Sequence, residues 1–341
     1  MKQLLCVLLL ACATVATSYA QSSPFDELVG KGMALYDDGD YAGALAQYQQ
    51  ALKLKKRNPE LNYEIAATHL ALNDIPNTIC YSNIALKSLN ASQELKAQAH
   101  VTRGSALDAA GKPNQALKDF RKALRLDPAY NMAYYNMGLT LYNQKKYSEA
   151  EQALVQAVQL KPGHSSSHLL LAYIKQAQRQ RVQSLLAFYN FLLLEPATER
   201  AATAYKTMQQ LQQQGVSEGQ GNTVNILVSA EKLEDNPFSA AELMLSMMQA
   251  SNTSGAKEGK TPEQLFFENT QTFFSTLGEL RQDRQDFWWS YYVEFFHEMA
   301  LNENVETFSY YIGQSEASRG WIKAHPDKVE QLTRWYGNYK R

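Results

Sequence analysis

Four segments of the chain repeat one pattern: "YDDGDYAGALAQYQQALKL", "LALNDIPNTICYSNIALKSL", "LDAAGKPNQALKDFRKALRLDP" and "LYNQKKYSEAEQALVQAVQLKP". Ala51, Ala85, Ala123 and Ala157 mark it at steps of 34, 38 and 34 residues, and Pro128, Pro162 and Pro196 continue it at 34 and 34. The extra residues fall in the polar loop around "SLNASQ". A fixed period of this length means stacked supersecondary units, and nothing else in the sequence restricts the fold as strongly. Each unit reads as two short helices and a turn. Small residues at fixed places let the two helices approach closely. Bulky residues fill the gap to the next pair, and Pro ends the second helix because it cannot continue one. Each pair has an apolar face that only its neighbours can cover, so the units stack into a solenoid whose concave side is lined mainly by first helices.

The residues at these places are Gly32, Ala44, Tyr48 and Ala51 in the first unit, and Gly104, Ala116, Phe120, Ala123 and Pro128 in the third. The fourth has Gly138, Ala150, Leu154, Ala157 and Pro162. The second is degenerate, with Thr78 and Ser82 beside Ala66 and Ala85, and the fifth keeps Ala172, Phe188 and Pro196. This pattern resembles the tetratricopeptide repeat (TPR) family, with about five units over residues 25–198. The resemblance implies an all-α fold, a TPR helical-hairpin solenoid that binds a peptide or an amphipathic helix in its groove. It also implies which positions face the groove. Tyr36, Tyr63, Asp108, Met132, Tyr135, Asn136, Leu139, Tyr142, Asn143 and Tyr173 are the candidates, densest in the fourth unit. Tyr supplies large contact area with a polar tip, which suits an interface. TPR domains that hold acidic chaperone tails clamp carboxylates with Lys, Asn and Arg; here only Asn136 sits in a comparable place.

The N-terminus reads as a leader. Lys2, an apolar stretch from Leu4 to about Val15, and Ser18-Tyr19-Ala20 make residues 1–20 a secretory signal peptide. The stretch is too short to span a bilayer comfortably. Two processing sites are open: cleavage after Ala20, or lipidation at Cys12 within the lipobox-like "LLAC". The first places the protein in the periplasm or cell envelope, the second on an outer-membrane lipid anchor. After cleavage at Ala20 only Cys80 remains, so no internal disulfide can form. Cys80 lies in a helical pattern and is expected to be a small buried hydrophobe.

Beyond the repeats, residues 199–222 read as a helix and linker, and 223–341 as a mostly helical C-terminal domain with at most one short strand, at "TVNILVSAE". Helices are expected over Ala240 to Ala250, from Pro262 to about Arg281, and at roughly 286–301, 304–314 and 327–338. The run "DFWWSYYVEFFHEMA" holds seven aromatic residues between Phe287 and Phe296. They cover about half of a helix, with Asp286, Ser290, Glu294, His297 and Glu298 on the rest. An acidic stripe does not suit a membrane span or an interfacial helix. The run is expected to be the central pillar of the C-terminal domain; an exposed Trp288 or Trp289 would mark a second ligand surface.

Net charge is -1, which gives no support for nucleic-acid binding. The basic run Lys53 to Arg57 falls at an expected helix C-terminus, where cations meet the helix dipole favourably. "HSSSH" spaces His164 and His168 like metal ligands but lacks further ones, with Ser165 expected as a helix N-cap. "EFFH" holds a Glu-x-x-His pair once, where a di-iron bundle needs it twice. Asp37, Asp38 and Asp40 fit the turn of the first unit without an ion. No catalytic set, cofactor or metal is expected. The sequence thus points to a non-catalytic protein- or peptide-binding scaffold of the bacterial cell envelope. The alternative is a glycan- or nutrient-binding surface lipoprotein.

Overall fold

A computed structural model describes residues 23–218, 224–226, 237–253 and 259–340. The leader, with Cys12, and the last part of the expected linker lie outside the described residues. The chain forms two compact units that divide between Ala106 and Leu107.

The first unit contains α1 (Pro24–Asp37), α2 (Tyr41–Leu54), α3 (Pro59–Ala71), α4 (Ile75–Lys87) and most of α5 (Gln93–Ala109). Side-chain caps start its helices. Asp40 accepts from the Gly43 amide at 2.9 Å and Asn58 from the Leu61 amide at 2.7 Å. Such caps satisfy amides that the first helical turn leaves open, and this accounts for Asp40 without an ion. The close approach expected of Gly32 is present: a Cβ there would lie 2.3 Å from Cε1 of the fully buried Tyr48. Cys80 is exposed, contrary to expectation. In the degenerate second repeat Thr78, Ser82 and Ala85 take the buried face of α4, and Cys80, two residues from both Thr78 and Ser82, points the other way.

The second unit contains the end of α5, then α6 (Pro113–Leu126), α7 (Asn131–Asn143), α8 (Tyr147–Leu160), α9 (Ser165–Ala177), α10 (Arg181–Leu194) and α11 (Glu199–Gln213). The glycine rule holds here too: a Cβ on Gly138 would lie 2.7 Å from Cγ of Leu154. The expected strand is real but not single. Val224–Ile226 pairs antiparallel with Val216–Glu218, Val216 opposite Ile226. A lone strand would leave its backbone groups unpaired, and the polar stretch before it supplies the partner. Then come α12 (Ser239–Thr253), α13 (Pro262–Arg281), a π-helical segment Trp288–Val293 running into α14 (Glu294–Leu301), α15 (Val305–Ile312), α16 (Glu316–Ala324) and α17 (Pro326–Asn338). Thr261 and Gln264 form a capping box at the start of α13. The sequence reading missed α16, whose Ser315 cap and interior Gly320 look like loop composition, and read the π segment as α-helix.

The core of the second unit is α10, buried from Arg181 through Leu193. A helix buried on all sides needs neighbours on all sides. It has α9 and α11 from the repeat series, and α12, α15 and the π segment from the C-terminal part. The aromatic run is indeed a pillar of that core: Trp288, Trp289, Tyr292, Phe295 and Phe296 are all buried. Neither tryptophan is a free surface. Tyr189 of α10 is ringed by Phe274, Phe296 and Phe308 with centroids 5.1, 6.0 and 5.8 Å away.

One residue turns each pair of helices through the left-handed region. These are Gly39 (φ 82°), Asn73 (57°), Gly111 (72°), Lys145 (60°) and Arg179 (58°). Their spacing of 34, 38, 34 and 34 residues is the sequence period itself. The turn recurs once more, between α14 and α15, at Glu303 with φ 56°. There the Glu303 amide donates to Ala300 O and the Asn304 amide to Met299 O. The Arg179 and Gln180 amides donate to Gln176 O and Lys175 O in the same way. A left-handed conformation costs a residue with a Cβ about 1–2 kcal/mol. A glycine there adds about 0.5–1 kcal/mol of unfolded-chain entropy. Lys145→Gly, at an exposed position, should therefore raise stability by about 0.5–1 kcal/mol. Urea unfolding checks this; a loss of stability would show that the turn is not strained at Lys145.

Candidate functional site

Met132, Tyr135, Asn136, Leu139 and Tyr142 are half-buried on α7, and Asn143 at its end is exposed. Their spacing of three and four residues puts them on one side of the helix. The other side, Ala133, Gly138, Thr140 and Leu141, is buried against the rest of the repeat. Tyr135 meets the ring of His164 edge-on at 4.9 Å, and Tyr142 meets Tyr147 at 5.8 Å. On α9, Tyr173 is half-buried with its ring edge-on to Phe188 at 5.4 Å. Burial raises the Tyr173 pKa, and the nearby Tyr142 phenol raises it further. Tyr142 of α7 and Tyr173 of α9 thus interact electrostatically, and the half-buried residues of the two helices form the candidate stripe across two repeats. Asp108 is half-buried at the end of α5. In the first unit Tyr36 is half-buried with its ring edge-on to Tyr41 at 5.2 Å, and Tyr63 is half-buried on α3.

His164 belongs to the stripe, which the sequence reading did not anticipate. Its Nδ1 lies 2.7 Å from Ser167 Oγ. Burial lowers its pKa, and the charges of Lys161 and Arg200 lower it further. His168 does something else. It is fully buried, with Nε2 2.9 Å from Pro162 O and Nδ1 2.6 Å from Tyr292 Oη. A carbonyl can only accept, so Nε2 carries the proton and the Tyr292 hydroxyl donates to Nδ1. The two histidines of "HSSSH" therefore serve different surfaces, and no group of three or more metal-ligating side chains occurs among the described residues. Ser165 is not the cap of α9 but its first residue, and it donates to Glu195 Oε2 at 2.8 Å. Arg200 also binds Glu195, and these bonds hold the Glu195 carboxyl down at about 2.

The aromatic run seals a different side of the same repeats. Trp288 Nε1 donates to Glu151 Oε1 of α8 at 2.8 Å, and Lys175 of α9 pairs with that oxygen at 2.5 Å while lying 4.9 Å from the Trp288 ring. The ring partners of Tyr135, Tyr142 and Tyr173 all come from repeats four and five, not from the C-terminal helices. Glu294 of "EFFH" pairs with Arg281 at 3.0 Å, and His297 fills the space over Gly278.

Paired helices at this period, turned by one left-handed residue and packed glycine against ring, define a helical-hairpin repeat protein. Comparison with known families agrees: residues 32–73 match the family described as TPR repeat, and residues 101–165 the one described as tetratricopeptide repeat. Residues 32–73 and 101–165 are thus tetratricopeptide-repeat segments. It is 34% identical over 110 residues to dynein axonemal assembly factor 4 of Rattus norvegicus, covering 30% of this chain and 26% of that protein. It is 28% identical over 144 residues to tetratricopeptide repeat-containing protein trd-1 of Caenorhabditis elegans, covering 42% of this chain and 18% of that one. The chain thus spans about a quarter or less of these relatives' length. Among solved structures it is similar to Pseudomonas aeruginosa pilF, with TM-score 0.47 and 16% identity over 56% of this chain and 90% of that one. No described helix is long and apolar enough to cross a membrane.

Proposed function

We propose that this protein is an exported, non-catalytic scaffold of the bacterial cell envelope that binds an extended peptide or an amphipathic helix of a partner protein along α7 and α9. The observation that carries the reading is the tyrosine stripe, whose Tyr135, Tyr142 and Tyr173 are each only partly buried, Tyr142 acting electrostatically on Tyr173. Rings fixed by neighbouring rings lose little entropy when a partner covers them, and such residues dominate interface energies. By the repeat's own pattern, Asp108 is a further binding position of the second unit, and Tyr36 and Tyr63 are binding candidates of the first unit by itself. The envelope assignment rests on the leader, processed after Ala20 or lipidated at Cys12.

The experiment is affinity capture from an envelope extract. The wild-type chain should retain a specific partner, and Tyr135→Ala with Tyr142→Ala should weaken that capture by about tenfold or more. Far-UV circular dichroism of the variant should stay unchanged. Equal capture by a folded double variant would remove the stripe from the binding site.

A further inference from the structure

We propose that a second site, the cleft between α11, α13, α15 and α16, binds a neutral saccharide. The cleft has a volume of about 430 Å³, within the range of small-molecule sites, about 300–1,000 Å³. It is independent of the tyrosine stripe on α7 and α9.

One wall is aromatic. The rings of Tyr205 and Phe266, both half-buried, meet edge-on with centroids 5.7 Å apart. Glu263 also lines the cleft, and its carboxylate accepts from Ser315 Oγ at 2.8 Å. Burial and the charge of Glu263 push the Tyr205 pKa up to about 12, so its hydroxyl keeps its proton and can donate. Ser309 lines the same cleft at 3% exposure, and its Oγ is buried without a hydrogen-bond partner. A buried hydroxyl left unpaired is unfavourable, so its presence in a cleft points to a group that comes to meet it.

The chemistry of the lining selects the ligand by elimination. An apolar molecule would strip water from the Glu263 carboxylate and leave the Ser309 hydroxyl unpaired. An anion would meet Glu263, and a cation would meet the exposed ammonium of Lys206 on the same lining. A neutral polyol meets neither conflict. Its hydroxyls donate to carboxylate oxygens and exchange bonds with Ser309 and Tyr205, while its C–H face lies against the ring wall.

The test is a glycan array on the full chain, followed by calorimetric titration with the neutral disaccharide it retains best, with maltose, cellobiose and diacetylchitobiose as the minimum panel. Ser309→Ala removes no hydrogen bond of the free protein, so it should fold normally, and Glu263→Gln keeps the side-chain shape. Each should weaken saccharide binding by about tenfold or more, because a site built around hydroxyls loses that much when a polar partner is removed. An array that retains no neutral saccharide overturns the proposal. So does binding that either substitution leaves unchanged.

Discussion

Trp289→Ala is expected to lower the unfolding free energy by about 3–5 kcal/mol, the range for truncating a buried large aromatic. Trp289 is fully buried in the π-helical segment. One face of the indole stacks on Phe238, with centroids 4.2 Å apart and planes 2° from parallel, and the Arg284 guanidinium lies 4.7 Å from the ring. Truncation would leave a void beside Phe238 and Arg284 that packed neighbours could fill only in part. The conservative variant sharpens the test. Trp289 Nε1 is buried with no hydrogen-bond partner. Trp289→Phe removes that unpaired donor and keeps most of the stack, so its cost should stay near about 1 kcal/mol. The neighbouring Trp288→Phe should behave differently, because Trp288 Nε1 does have a partner in Glu151. Urea unfolding followed by circular dichroism measures all three. A Trp289→Ala cost below about 1 kcal/mol would contradict the packing of this segment.

Most of the repeat architecture was legible because it is written locally. Gly32 against Tyr48 and Gly138 against Leu154 are pairs whose spacing follows from helix geometry. The left-handed turn residues could be located from the period, although Lys145 and Arg179 carry no glycine-like signal. The pillar at Phe287 to Phe296 was legible from aromatic density, because that much ring surface must be buried somewhere. What the sequence did not reveal is where the pillar docks. Trp288 reaches Glu151 and Tyr292 reaches His168, separations of 137 and 124 residues that no periodicity encodes. The C-terminal helices are therefore built onto α10 and its neighbours within one compact unit. The candidate groove positions, Tyr142 and Tyr173 among them, were read from the repeat's register. His164 was not among them, because "HSSSH" was weighed only as a metal spacing, for which further ligands are lacking, and not as one ring for the stripe and one for the core. The cleft of Tyr205, Glu263 and Ser309 draws on residues spread over 104 positions of the chain and had no sequence signature.

Arg181→Ala should cost about 3–5 kcal/mol, the penalty for breaking a buried ion pair by removing one partner. Sequence alone gives this arginine no distinction. It is the first residue of the second helix in its repeat, where the others have Tyr41, Ile75, Pro113 and Tyr147, all half-buried. In the fold it is 8% exposed, and its guanidinium is saturated. Nε donates to Glu242 Oε2 at 2.8 Å, one terminal nitrogen donates to Gln214 O, and the other to Glu242 O at 2.6 Å and Ser246 Oγ at 2.9 Å. Glu242 also accepts from the Val182 amide at 3.0 Å. The group therefore ties α10 to α12 and to the residue after α11. Without it, Glu242 would keep one amide donor for a mostly buried carboxylate, and the Gln214 and Glu242 carbonyls would each lose a charged donor. Arg181→Lys retains the charge but cannot reproduce a fork that reaches several acceptors at once, so it should recover only part of the loss. Because the damage is centred on α12, amide hydrogen exchange should accelerate first over residues 239–251 in Arg181→Ala, while the amides of α7 keep their protection. Uniform acceleration across both helices would mean that α12 is not held as a separate layer and that Arg181 supports the unit as a whole.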